Sequence, residues 1–160
     1  MGTFKAFYNS YRDKLFAYLL RVTGDYYLAS DITQESFTRI LSHYGKNALN
    51  SRLLFTVARN AVLDDMRKKN RLVQWGEEKI DDTHDNERLI LVRESYRQVL
   101  EGLQYLNRNE RDILSLVVSS GLPYRDIADM TGNSEVSIKV TVHRARTKLK
   151  KYLQGDTKHE

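Results

Sequence analysis

The chain has no cysteine, one proline and eight glycines in 160 residues. Without thiols there is neither a disulfide framework nor a thiolate zinc site, so stability has to come from apolar packing. A reducing compartment, the cytoplasm, is the expected location. So little proline and glycine leaves few turns for a many-stranded fold and predicts long helices instead. No apolar run approaches the roughly 20 residues that cross a bilayer, and the opening MGTFKAFYNSYRDK lacks the apolar stretch of a signal peptide. No membrane insertion is expected. The four histidines, His43, His84, His143 and His159, show no helical pairing, and no Ser/His/Asp arrangement is recognisable.

What the chain does have is charge, unevenly spread. The formal net charge is +5. Residues 1–72 carry 12 basic and 6 acidic side chains, 73–92 carry 2 and 6, and 93–160 carry 12 and 9, giving +6, −4 and +3. The middle stretch has no sustained apolar period from about Gly76 to Arg88 and reads as a flexible acidic linker. The expected fold class is therefore all-α, with two small helical domains, 1–72 and 93–160, joined by 73–92. Each is near the size at which a lone core is marginal.

In the first domain Phe4, Phe7, Tyr8, Tyr11, Leu15, Tyr18, Leu19 and Val22 recur at spacings of three and four and predict one amphipathic helix, broken at Gly24 and Asp25. A second helix is expected from about Tyr27 to His43, with Leu28, Ile32, Phe37, Ile40 and Leu41 on its apolar side. A third runs from about Ser51 to Arg71 on Leu54, Val57, Ala58, Ala61 and Met66, ending in the basic run Arg67-Lys68-Lys69-Asn70-Arg71. Cations in the last turn suit the negative end of the helix dipole.

The second domain opens with a helix carrying Tyr96, Val99, Leu100 and Leu103. Asn107 to Glu110 then forms a cap and first turn leading into Ile113, Leu114, Leu116 and Val117. After Gly121-Leu122-Pro123 come a short helix, Tyr124–Met130, a tight turn, Thr131-Gly132-Asn133, and a long basic helix capped by Ser134. This is the outline of a helix-turn-helix. In the last helix Ile138, Val142, Ala145 and Leu149 share one arc and must face the core, and no acidic residue occurs between Lys139 and Gln154. Ser137, Lys139, Val140, Thr141, His143, Arg144, Arg146 and Lys148 are left as candidate contacts to DNA, the early ones at base edges and the later ones at phosphates. Val140 lies nearly opposite the core stripe, where an apolar residue gains nothing from folding and suits a thymine methyl.

Three passages resemble the extracytoplasmic-function (group IV) sigma factors of bacterial RNA polymerase. They are Asp31-Ile32-Thr33-Gln34-Glu35-Ser36-Phe37; Val57-Ala58-Arg59-Asn60 through Asp64 and Arg67 to Arg71; and Leu122-Pro123-Tyr124-Arg125-Asp126-Ile127-Ala128 through Lys139 to His143-Arg144-Ala145-Arg146. The resemblance spans most of residues 4–153 and makes the first domain similar to region 2 and the second to region 4. It implies that Asp31, Gln34 and Glu35, which spacing alone puts on one exposed helix face, dock on the β′ clamp helices of core polymerase. It implies that Asn60, Asp64, Arg67, Lys68, Lys69 and Arg71 read and open the −10 element, with the loop from Tyr44 to Arg52 as a pocket for an unstacked base. The last helix would read the −35 element, with the β flap as a further polymerase partner, the acidic linker would run inside the polymerase, and an anti-sigma factor is an implied inhibitor. Three positions depart from the family pattern: Leu53 stands where Trp is common, and Val140 and Thr141 where Ser and Arg are frequent, so no promoter consensus carries over.

Two other readings compete. A conventional helix-turn-helix regulator would use the second domain for DNA and the first for ligand or dimer contacts. A metal-dependent nuclease would need converging carboxylates, but Asp64 and Asp65 diverge by about 100° on a helix, and Asp81, Asp82, His84 and Asp85 lie in the linker with no ordered surroundings. Neither catalysis, a cofactor nor a bound metal is expected.

Overall fold

The computed structural model describes residues 2–45, 49–74 and 93–155. The helices are α1 (Gly2–Thr23), α2 (Tyr26–Arg39), a π-helical turn (Ile40–Tyr44), α3 (Ser51–Gln74), α4 (Glu94–Tyr105), α5 (Arg108–Ser120), α6 (Tyr124–Thr131) and α7 (Glu135–Leu153), and there is no strand among the described residues. The all-α expectation holds. Residues 73–74 of the expected linker finish α3, and the rest of it lies outside the described residues, as do 46–48 of the expected base pocket.

Local chemistry accounts for the boundaries. The Asp25 carboxylate accepts from the Leu28 N–H and starts α2, and Asn50 does the same for α3 through the Leu53 N–H at 2.8 Å. Asn107 and Glu110 form a reciprocal capping box at the head of α5. Helix α2 runs on into the π-helical turn, closed by the Gly45 N–H bonding to the Ile40 carbonyl. That wider turn takes the apolar spacing out of register. Leu41, expected on the buried side, is accordingly 41% exposed, while Ile40 is fully buried.

The two halves share a core. Buried side chains from Leu15, Tyr18 and Phe55 to Leu116, Ile127 and Ile138 belong to one contiguous apolar cluster, and α1 packs on α5 as extensively as on its own neighbour α2. At Gly102 a Cβ would come within 2.7 Å of the Leu149 side chain, so glycine is what lets α4 lie against α7.

Polar side chains join the halves at the core's edge. The buried Tyr18 hydroxyl donates to Asp112 Oδ1 at 2.7 Å, and the Arg59 Nε donates to Asp112 Oδ2 at 2.7 Å. The Arg59 guanidinium also reaches the Met130 carbonyl. Arg111, next to Asp112, donates to the carbonyls of Leu103, Gln104 and Leu106 at the end of α4 and of Val22 at the end of α1. Its pKa is lowered, first by burial and then by the neighbouring Arg108 charge. Arg21 bonds the Ser119 hydroxyl, and Arg52 pairs with Asp126 and Asp129 on α6.

Replacing Asp112 with Ala leaves a buried phenol and a mostly buried guanidinium without their acceptor. We expect a loss of about 3 kcal/mol, read from urea unfolding. Burial, then the Asp112 charge and hydrogen bond, hold the Tyr18 pKa well above its usual range, against an opposing effect of Arg59. A tyrosine in the unfolded chain titrates near 10. The Tyr18 contribution is therefore complete below about pH 10 and is lost as pH rises from there through the higher folded value. Tyr18→Phe should cost about 1–2 kcal/mol at neutral pH and show a shallower alkaline fall in stability than the parent. Equal alkaline slopes would contradict this.

Candidate polymerase and nucleic-acid interfaces

Helix α2 buries Ala29, Ile32, Thr33, Ser36 and Phe37, which leaves Asp31, Gln34 and Glu35 on the outside, all exposed. They do not open onto one groove. Asp31 and Glu35 border a cleft of about 190 Å³ between α2 and α3 that also holds Arg39, Asp64, Asp65 and Lys68. Gln34, about 100° round the helix from Glu35, borders a second cleft with Tyr8, Arg12, Phe16 and Tyr26. Glu35 pairs with Arg39 at 3.2 Å on the half-exposed surface, a geometry that contributes little to stability and leaves the carboxylate free to exchange partners.

On α3, Leu54, Phe55, Ala58 and Val62 are buried. Helical geometry then places Asn60, Asp64, Arg67 and Arg71 in one outward stripe, with Lys68 about 80° round from Asn60 and Lys69 on the opposite side. All six are exposed. A groove of about 520 Å³ is lined by Asp64, Arg67, Lys68, Asn70 and Arg71. Asn70 was not singled out from the sequence, although it lies inside the basic run that was. Asp64 is held by Arg67 at 3.3 Å, and Lys69 by Asp65 at 3.2 Å. Among the described residues, the unengaged cations of this surface are thus Lys68 and Arg71, with Arg67 shared. Asn50 and Leu49 of the expected pocket loop serve other ends: Asn50 caps α3 and Leu49 packs on the core.

The helix-turn-helix is built by α6, its turn and α7. Gly132 has φ 71°, a left-handed conformation that costs a side chain-bearing residue, and it allows the chain to turn within three residues. The Asn133 side-chain amide donates to the Thr131 hydroxyl at 2.9 Å. The Ser134 hydroxyl accepts from the Ser137 N–H and starts α7. With Ile138, Val142 and Ala145 buried, Lys139, Val140, His143, Arg144 and Arg146 are exposed, and Ser137 and Thr141 are half-buried.

Lys148 behaves differently from the other expected DNA contacts. Its ammonium lies 2.8 and 3.0 Å from the two oxygens of Glu110, a carboxylate only 5% exposed. The reason is electrostatic, since a carboxylate buried that deeply is costly without a cation and hydrogen bonds as partners. Lys148 therefore ties α7 to the head of α5. The sequence reading also passed over Val136, which is 70% exposed; its spacing of four from Val140 was the available signal.

The Sigma-70 region 2 family matches residues 7–72, and the Sigma-70, region 4 family matches residues 96–149. The chain is 31% identical to the ECF RNA polymerase sigma factor SigM of Bacillus subtilis (strain 168), over 92% of this chain and 93% of that one. It is 30% identical to EcfG of Rhodopseudomonas palustris (strain TIE-1), over 88% and 79%. Its fold is similar to that of the sigma factor RpoE co-crystallised with the anti-sigma factor NepR from Bartonella quintana, with a TM-score of 0.77 and 24% identity over 96% of this chain and 98% of that one. The chain belongs to the extracytoplasmic-function sigma factors, and it directs promoter-specific transcription by RNA polymerase.

Proposed function

We propose a division of this work among the surfaces described above. Residues 1–72 act as the polymerase-docking and −10 unit, 93–160 as the −35 unit, and 73–92 as an acidic tether between them. Asp31, Gln34 and Glu35 dock on the β′ clamp helices of core polymerase. Asn60, Asp64, Arg67, Lys68 and Arg71 receive the −10 element and favour its opening, because a cationic groove attracts backbone phosphates and lowers the cost of separating strands. Lys69 plays a lesser part, on the far side of α3. Helix α7 reads the −35 element through Ser137, Lys139, Val140, Thr141, His143, Arg144 and Arg146, with Lys148 holding the helix in place, and the β flap receives this second unit on polymerase.

The observation that carries the reading is α7 itself, a helix whose core stripe is buried and whose outward face is basic, set up by a capped helix-turn-helix turn. The chain acts in the cytoplasm and without catalysis of its own. An anti-sigma factor restrains it, a reading supported by the NepR-bound state of the similar RpoE.

Run-off transcription on genomic fragments with purified core polymerase tests the whole assignment. New discrete start sites should appear only when the protein is added, and their absence would sink the proposal. Glu35→Lys should weaken association with core polymerase by about ten-fold while leaving the melting temperature within a degree or so, because the residue is half-exposed. Unaltered association would remove Glu35 from the docking face.

A further inference from the structure

Helix α7 presents two apolar side chains to water at the end that leads a reading helix into a groove. Val136 is 70% exposed and Val140 is 42% exposed. They are four residues apart in the first two turns, on the side away from the buried Ile138, Val142 and Ala145. Neither is part of the apolar cluster, so neither stabilises the fold by burial. Two β-branched residues on an exposed helix face also carry a small helix-propensity cost.

The surroundings limit what could cover this pair. Lys139, His143 and Arg144 flank it and are exposed. Glu135, the carboxylate at this end of α7, lies about 100° round the helix from Val136. An apolar protein surface would have to bury those cations. A polyanion that carries methyl groups between its charges would not, and duplex DNA is one, through the C5 methyl of thymine in the major groove.

We propose that Val136 and Val140 form a two-point reader of thymine methyls within the −35 element. This rests on the assignment of α7 as the −35 reading helix and names the base chemistry that it selects. Residues four apart on a helix are about 6 Å apart along its axis, and successive bases of one strand rise about 3.4 Å. The two methyls should therefore lie about two base steps from each other. Arg144 and Lys139 supply the phosphate contacts that hold the register.

The test uses the full chain bound to core polymerase. Duplexes are selected from a library randomised across the −35 region, and each thymine of the selected site is then replaced singly by deoxyuridine, which removes only the methyl. Loss of about four-fold in affinity is expected at two thymines about two steps apart. Val136→Ala should abolish the uracil effect at one of them and Val140→Ala at the other, with helix content and melting temperature preserved, since both positions are exposed.

A selected site without thymines so spaced, or one in which every uracil is tolerated, overturns the proposal. If Arg144→Ala still weakens binding by about ten-fold in that case, α7 does lie on the DNA and only the methyl reader fails. If Arg144→Ala has no effect either, the −35 assignment of α7 fails with it. Selected sites that ignore thymine while both valine variants lose polymerase affinity would instead place the pair against protein, and would equally overturn the proposal.

Discussion

Among the polar contacts that join the two halves of this protein, the most enclosed centres on Asp112. Its two oxygens take different partners, the Tyr18 hydroxyl of α1 and the Arg59 guanidinium of α3, each at 2.7 Å. Arg59 in turn reaches the Met130 carbonyl at the end of α6. One carboxylate thus fixes the mutual position of three helices and touches a fourth through its partner. The dependence runs in both directions: the phenol and the guanidinium need Asp112 as an acceptor as much as the enclosed carboxylate needs them as donors.

This constraint bears on how segments of about 70 residues hold their shape. A core of that size is marginal alone. Here the apolar cluster runs through both halves, with Arg111 bonding the carbonyl ends of α1 and α4 at the seam. The contact does not cover the surfaces proposed to meet polymerase and promoter. The outer faces of α2, α3 and α7 all remain exposed. Rigidity is supplied on the inner sides, and the outer ones stay exposed for the proposed recognition.

Local features of this arrangement were legible in the sequence, because local physics decides them. Apolar residues at spacings of three and four located the helices, and Asn107, Glu110 and Ser134 announced their caps. The helix-turn-helix could be outlined from Gly132 and the stripe Ile138, Val142, Ala145. Contacts between distant residues were not legible. Tyr18 and Asp112 are 94 positions apart, and nothing near either one signals the other. Lys148 looked like its basic neighbours because its partner, Glu110, sits 38 positions upstream and was read only as a cap. Leu41 was misplaced because the π-helical turn breaks the periodicity on which the reading relied. That Gln34 and Glu35 border different clefts depends on which helices flank α2, a tertiary fact.

These long-range pairs also change what the basic charge of the first 72 residues means. A surplus of six there suggests a broad surface for nucleic acid. Yet Arg59 is engaged with Asp112, Arg52 with Asp126 and Asp129, and Arg21 with Ser119 and the Tyr96 ring. Each of these arginines faces a group from the second half rather than a phosphate. Along α3 the cations left for the proposed −10 contact are concentrated at its far end, around Lys68 and Arg71, with Arg67 divided between Asp64 and the groove. A phosphate attracted there meets a narrow stripe rather than a diffuse field. Within about one Debye length, roughly 8 Å at physiological salt, placement matters more than total charge. The acidic residues of the second half therefore do more than lower its net charge. By pairing with Arg52 and Arg59, Asp112, Asp126 and Asp129 withdraw two cations from the earlier part of α3, so that along this helix the positive charge is left at the end proposed to receive the strand.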